Sequence, residues 1–218
     1  MLEFSYLCFL LFLLIFILCI GKNNLTLSPK KIKVFINLLL IPLILKYCTL
    51  LISFFIEKQQ FMYYLKYFHY INYFSIPLAI IVSLYIFLRN EKIKFNHIYI
   101  FIAIFGCIYL FIIKRYLLNI NVDSSFGYLI LIADSIIPNL IYLIFIASTF
   151  IYTLINFDKP YSNKMGVKLL LITLIIYLVE YILFLGGIKL YPYPIIGEGL
   201  VLVILFRAIY TFNVPSHK

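Results

Sequence analysis

Long apolar runs separated by short polar connections dominate the hydropathy pattern of this chain. A helix needs about 20 apolar residues to cross about 30 Å of hydrocarbon. Such segments must be helical, because lipid offers no water to the backbone amides. The pattern therefore predicts an all-α bundle of seven transmembrane helices over residues 1–218, without a separate soluble domain. The seven runs that reach or approach the required length are residues 4–21, 34–56, 69–88, 95–113, 127–156, 168–187 and 194–213.

Composition supports the same fold class and argues against a soluble protein. Of the 218 residues, 65% are hydrophobic and 12% are charged, whereas soluble domains have about 45–50% apolar and about 25% charged residues. The formal net charge of +10 would suit a nucleic-acid-binding protein, but the basic residues are spread over the short connections and form no single patch. That distribution is typical of membrane proteins. We therefore expect the partner of this chain to be the lipid bilayer and not nucleic acid.

The distribution of lysine and arginine predicts the orientation of the bundle. Cytoplasmic connections of membrane proteins carry an excess of basic residues. The first, third and fifth connections together contain ten lysines and arginines, against five in the second, fourth and sixth. The odd-numbered connections are therefore predicted to be cytoplasmic. This places the N-terminus outside and the C-terminus inside, with the chain in the cell membrane.

An aromatic-rich stretch leads into the third predicted helix. Residues 58–74 read KQQFMYYLKYFHYINYF, and aromatic rings collect at the level of the lipid headgroups. The stretch is therefore predicted to form an interfacial belt at the outer surface. His69 lies within it, and we expect this histidine to be a satisfied interfacial group.

Four ionisable side chains lie inside predicted helices, where such residues are rare and by default indicate function. Counting about 1.5 Å per residue from the outer helix ends places Glu198 about 6 Å deep, Asp134 and Glu180 about 10 Å, and Lys46 about 15 Å. An unpaired charge in hydrocarbon costs at least about 2.5–3.5 kcal/mol. The depths therefore predict that Lys46 faces Asp134 or Glu180 inside the bundle. Glu198 is predicted to be the mouth of their site, ionised near the outer surface.

The residues around Glu198 support that placement. Pro194 suits the first turn of a helix, so Glu198 lies one turn further in, near the positive end of the helix dipole. The flanking Gly197 and Gly199 predict a close approach of the sixth helix or of water.

This candidate polar site has three interpretations at the level of sequence. The charges fix helix packing, they handle a solute or a proton, or the carboxylates lie at the lipid edge or are neutral. The fifth predicted helix adds the segment ADSIIPN, in which Pro138 leaves the carbonyl of residue 134 without its usual helical donor. Asp134, Ser135, Pro138 and Asn139 are therefore predicted to form one polar, bent wall. The alternative is a plain proline kink.

No pattern of catalytic, cofactor-binding or metal-binding residues is found in the sequence. Nucleophile-elbow, His-Glu-x-x-His and glycine-rich phosphate motifs are absent, and the four cysteines lack metal-ligand spacing. We therefore expect no cofactor. The sequence favours a non-enzymatic sensor, accessory or assembly component that acts through a membrane-protein partner. An intramembrane enzyme that modifies lipid through Asp134 and Glu180 is a further hypothesis.

The alternative function is that of a small-solute or ion carrier. Seven helices with the N-terminus outside resemble the three-plus-one-plus-three architecture of the SWEET-type sugar carriers. Those carriers pair a proline-centred motif in helices one and five, whereas here Pro138 lies in the fifth predicted helix and the first has no proline. The resemblance is one of topology. It implies a seven-helix carrier fold and assigns no residue a role.

Overall fold

Long apolar helices make up most of the fold. The computed structural model describes residues 2–55, 59–89, 95–123, 125–133 and 136–213, apart from the side chains at positions 59 and 66. Within these ranges, seven segments are helices long and apolar enough to cross a membrane, with mean hydropathies from 1.8 to 2.8. This confirms the prediction of a largely helical chain with seven segments that are able to span a membrane. In chain order the elements are α1 (Leu2–Leu27), α2 (Lys30–Phe55), α3 (Gln59–His69), α4 (Asn72–Leu88), α5 (Ile98–Arg115), β1 (Leu118–Asp123), β2 (Gly127–Ile132), α6 (Ile136–Ile155), α7 (Lys164–Leu185) and α8 (Ile195–Tyr210).

The first two helices extend further than their apolar runs. Helix α1 continues to Leu27, and only Ser28 and Pro29 separate it from α2. Proline disfavours a helical conformation in the residue before it, while its missing N–H is tolerated where a helix begins. The lysines and asparagines assigned to the first connection therefore lie mostly in helix ends.

The predicted helix over residues 127–156 is wrong in its first part. Residues 127–132 form strand β2, which pairs with β1 in an antiparallel hairpin from Leu118↔Ile132 to Asp123↔Gly127. The β1 sequence LNINVD alternates apolar and polar residues, which is the pattern of a strand. Asp123 Oδ1 accepts hydrogen bonds from the amides of Ser125 and Phe126 in the turn. A local signal for the hairpin was therefore present, but the apolar run after it concealed the boundary.

Two tyrosines fix the free edge of this hairpin. The Tyr70 hydroxyl donates to the Ile130 carbonyl at 2.7 Å. The Tyr193 hydroxyl accepts from the Ile130 amide at 3.0 Å and lies 3.3 Å from the carbonyl, to which it donates. Burial raises the pKa of the Tyr193 phenol, so this hydroxyl stays protonated. The edge groups of Ile130 are therefore satisfied by side chains from two distant parts of the chain.

The substitution Tyr193→Phe is expected to loosen the hairpin. It leaves the buried Ile130 amide without this acceptor, and an unsatisfied buried donor costs about 1–3 kcal/mol. Amide hydrogen exchange of residues 127–132 should become faster than in the wild type. The matched control is Tyr161→Phe, because Tyr161 is exposed. Equal exchange in both variants would contradict the role of Tyr193.

Helices α4 and α8 form the centre of the bundle. The span that contains α4 is 72% buried and that of α8 is 56% buried, against 17% for α5. Helix α8 packs against α1, α4 and α7, while α5 packs mainly against α4. Polar groups near the start of α8 are consequently enclosed by neighbouring helices rather than facing lipid.

Candidate functional site: a buried ion pair in a polar cavity

A buried ion pair joins α2 to α8. Both carboxylate oxygens of Glu198 lie 2.5 Å from Nζ of Lys46. Lys46 is 2% exposed and Glu198 is fully buried. It is the single ion pair among the residues that the structure describes. Transferring two charges out of water costs several kcal/mol for each ion, and their attraction offsets this only with good geometry and further hydrogen bonds.

Two neutral donors complete the shell of the Glu198 carboxylate. The Tyr47 hydroxyl donates to Oε2 at 2.9 Å, and Asn72 Nδ2 donates to Oε1 at 2.9 Å. Tyr47 follows Lys46 directly on α2, and Asn72 is the first residue of α4. Hydrogen bonds to an ionised acceptor are about twice as strong as those between neutral groups. The carboxylate thus connects three helices and has a partner for each oxygen.

The prediction that Lys46 faces Glu180 was wrong. Glu180 instead accepts hydrogen bonds from the amides of Ile196, at 3.0 Å, and Gly197, at 2.5 Å. These amides belong to the first turn of α8, where N–H groups lack partners within the helix. Glu180 therefore caps α8 and does not face Lys46 directly. Asp134, the other predicted partner, lies outside the described residues, as does Ser135.

The prediction that Glu198 forms the mouth of the site was also wrong. It does lie in the first turn of α8, but its side chain is completely buried. Counting residues from a helix end does not show whether neighbouring segments cover a side chain. Here Asn72 at the start of α4, together with the segment around Tyr193 and Pro194, encloses the space beside the carboxylate. This glutamate is therefore the centre of the cluster rather than its mouth.

The two glycines beside Glu198 have separate roles. A Cβ at Gly197 would collide with the ring of Tyr177 and lie 2.8 Å from Oε2 of Glu180, so this glycine permits the predicted close approach of α7. A Cβ at Gly199 would lie 3.1 Å from side-chain atoms of Phe9 and Leu13 on α1. Gly199 therefore allows α1 to approach, which sequence reasoning did not anticipate.

The ion pair lines a cavity of about 270 Å³, which we call the polar cavity. It lies where the ends of α2 and α7 meet the beginnings of α4, α6 and α8, beside the hairpin. Its polar lining includes three of the predicted site residues, Lys46, Asn139 and Glu198; Glu180 lines a separate crevice. The described residues that line it are Lys46, His69, Tyr70, Asn72, Tyr73, Leu131, Ile132, Ile136, Asn139, Tyr181, Phe184, Leu185, Gly187, Lys189, Tyr193, Pro194 and Glu198.

Two buried polar atoms of this lining have no hydrogen-bond partner among the residues that the structure describes. They are Oδ1 of Asn72 and Nδ1 of His69, and both side chains are more than nine-tenths buried. The expectation that His69 is a satisfied interfacial group is therefore wrong for its Nδ1. Its ring packs edge-on against Tyr193 with centroids 4.3 Å apart. Buried polar atoms without a partner are uncommon and require an explanation, such as a water or a ligand.

Tyrosines hold the predicted residue Asn139 in place. Its Oδ1 accepts from the hydroxyl of Tyr73 at 2.6 Å and from that of Tyr181 at 3.3 Å. Pro138 lies in the first turn of α6 as described from Ile136, and Asp134 and Ser135 of the predicted polar wall lie outside the described residues. Sequence reasoning missed Tyr47, Asn72, Tyr73 and Tyr181, since tyrosine and asparagine are common in this composition and give no spacing signal.

The donors around Glu198 limit the chemistry that this carboxylate can perform. Glu198 is engaged by three donors, so it is not free to act as a base. Among the described residues, no group of three or more histidine, cysteine, aspartate or glutamate side chains lies close enough to hold a metal ion. The polar groups beside the ion pair that still lack partners can form hydrogen bonds with a ligand.

Comparison with known proteins adds no assignment. No protein family matches the chain, and a comparison with curated proteins finds no relative.

Proposed function

We propose that this chain is a non-enzymatic binding component of the cell membrane. It holds the compact polar group of a ligand in the polar cavity and acts through a membrane-protein partner as a sensor or accessory subunit. The observation that carries the proposal is the pair of unpartnered polar atoms, Asn72 Oδ1 and His69 Nδ1, in the lining of the cavity. An ion pair that only fixed helix packing would require neither a cavity nor open hydrogen-bonding groups beside it.

The chemistry of the lining defines the class of ligand. Lys46 and Glu198 neutralise each other, so the charge that remains in the described lining is that of the exposed Lys189. Asn72 Oδ1 is an acceptor, because the amide nitrogen of the same side chain already donates to Glu198. A complementary ligand therefore carries at least one hydrogen-bond donor for Asn72 and a polar group for His69. The aromatic and apolar remainder of the lining suits a compact molecule with a few polar groups.

The predicted orientation of the bundle indicates on which side of the membrane the polar cavity opens. We place the N-terminus outside and the C-terminus in the cytoplasm, following the excess of basic residues in the odd-numbered connections. The cavity adjoins the hairpin, which belongs to the fourth connection, and the segment between α7 and α8, which forms the sixth. Both are even-numbered. The ligand therefore enters from the outer side, past the exposed Gly187 and Lys189.

Thermal unfolding of the purified full-length chain tests the proposal. The probes are free amino acids, monosaccharides, nucleosides, polyamines and monoacylglycerols, each added separately. At least one class should raise the unfolding temperature of the wild type by several degrees, because binding to the native state stabilises it. The variant Asn72→Leu should show a much smaller shift with the same class, since it removes the open acceptor. A panel in which no class distinguishes the wild type from Asn72→Leu would contradict the proposal.

A carrier would share this cavity but would differ in transport. Proteoliposomes that contain the protein and the ligand identified by the panel separate the two functions. A binding component gives saturable binding without net flux. Saturable flux that is lost in Asn72→Leu would contradict the sensor proposal and support a carrier.

A further inference from the structure

A second, apolar cavity of about 600 Å³ lies between α5 and α6 over α4, and we call it the apolar groove. Lining residues run along α4 from Tyr73 to Leu88, a distance of about 22 Å at 1.5 Å per residue. Ser148 and Thr149 also line it, but their hydroxyls donate to carbonyls of their own helix. The groove thus combines an extended shape with few free hydrogen-bonding groups, which suits a hydrocarbon chain.

An aromatic contact joins the two helices that flank the groove. Phe105 of α5 meets Phe145 of α6 edge to face, with ring centroids 4.9 Å apart. Both residues line the groove, so α5 and α6 touch at this level. A helix with its side chains is about 10–12 Å across, whereas a single acyl chain is much thinner. The contact leaves no room for a helix between α5 and α6 at this level, which favours a hydrocarbon chain as the occupant.

Tyr73 lines both the apolar groove and the polar cavity. Its ring stands edge-on to Tyr142, with centroids 5.1 Å apart, and its hydroxyl donates to Asn139. Asn139 Oδ1 also accepts from Tyr181. A rotation of Tyr73 would therefore join the two spaces and still leave Asn139 with a donor.

We propose that the ligand is a single-chain amphiphile whose polar head occupies the polar cavity and whose hydrocarbon chain lies in the apolar groove, with Tyr73 at the passage between them. This inference rests on the proposed binding function and names the class of its ligand. A head group with a hydrogen-bond donor supplies the partner that Asn72 Oδ1 lacks among the described residues. The hydrocarbon chain of the ligand occupies the groove in place of bulk lipid. Its own head group is therefore the one that reaches the polar cavity.

Tryptophan fluorescence can test this proposal, because the chain contains no tryptophan. The reporter variant is Ser148→Trp in the groove, and the matched control is Ile175→Trp on the exposed side of α7. Each full-length variant is purified in detergent and titrated with dibromostearic acid, dibromostearoyl monoglyceride and dibromostearoyl lysophosphatidylcholine, whose bromine atoms quench tryptophan on contact.

We expect saturable quenching of the Ser148→Trp reporter by at least one of these probes. The control should show only a gradual decrease with probe concentration. Adding Asn72→Leu to the reporter should weaken the saturable component about tenfold, which corresponds to about 1.4 kcal/mol of lost head-group contact.

Three results would overturn the inference. Saturable quenching that Asn72→Leu leaves unchanged means that a chain binds without its head in the polar cavity. Gradual quenching at both positions means ordinary lipid contact. No quenching of the reporter means that protein covers the groove. If water-soluble probes shift the unfolding temperature while quenching fails, the polar cavity binds a soluble ligand and only the amphiphile is excluded.

Discussion

Replacing Lys46 by methionine is expected to lower the free energy of unfolding by about 3–5 kcal/mol. Methionine preserves most of the volume of the side chain but removes the ammonium group. The Glu198 carboxylate then remains buried with two neutral donors, Tyr47 and Asn72, and without a cation. Unfolding of the purified protein by denaturant measures this change.

A second variant separates the charge effect from a packing defect. In the double variant Lys46→Met/Glu198→Gln, the glutamine carbonyl can still accept hydrogen bonds and no charge is left buried. Most of the lost stability should therefore return. The surface control is Lys159→Met, since Lys159 is exposed; it should unfold like the wild type. A single Lys46→Met variant of unchanged stability would contradict the buried pair.

The substitution Gly197→Ala is expected to destabilise the contact between α7 and α8. Its Cβ would overlap the ring of Tyr177, which is fully buried and bonded through its hydroxyl to Tyr142 at 3.0 Å. Overpacking of this kind costs about 1–3 kcal/mol or more. The displaced α7 would also shift Glu180 away from the amides that it caps. We expect a lower unfolding temperature and reduced binding at the polar cavity.

Gly106→Ala is the matched control. Gly106 also lies in a transmembrane helix, but a Cβ there would meet its nearest neighbour, Phe74, at 4.0 Å. Since alanine favours a helix over glycine by about 1 kcal/mol, this variant should be at least as stable as the wild type. Equal behaviour of the two glycine variants would mean that α7 and α8 are not in close contact at Gly197.

The sequence predicts the membrane-spanning helices well, for a clear physical reason. Hydrocarbon demands a long apolar run for each crossing, and such runs are visible without any knowledge of packing. The hairpin before α6 was missed because its second strand, GYLILI, is as apolar as the helix that follows. Only the alternation in LNINVD and the turn after it marked the boundary.

The candidate site was predicted in part. Buried charge in a membrane requires an opposite charge, so the choice of Lys46 and of carboxylates followed from their positions in apolar runs. Which carboxylate pairs with Lys46 depends on how the helices pack. Glu198 has this role because α8 lies at the centre of the bundle, whereas Glu180 points toward the first turn of α8. Neutral donors such as Tyr47 and Asn72 give no pattern in a sequence with 20 tyrosines.

Thiol labelling measures most directly whether an outward-facing polar cavity exists in the membrane domain. Cys8, Cys19, Cys48 and Cys107 are first replaced by alanine, and Asn139→Cys is introduced into the cavity lining. The control is Ser83→Cys, at a fully buried position of α4 that does not line the cavity. In intact cells, a small membrane-impermeant methanethiosulfonate should label Asn139→Cys and leave Ser83→Cys unlabelled. Labelling of neither variant, or labelling of Asn139→Cys only from the cytoplasmic side, would contradict the account.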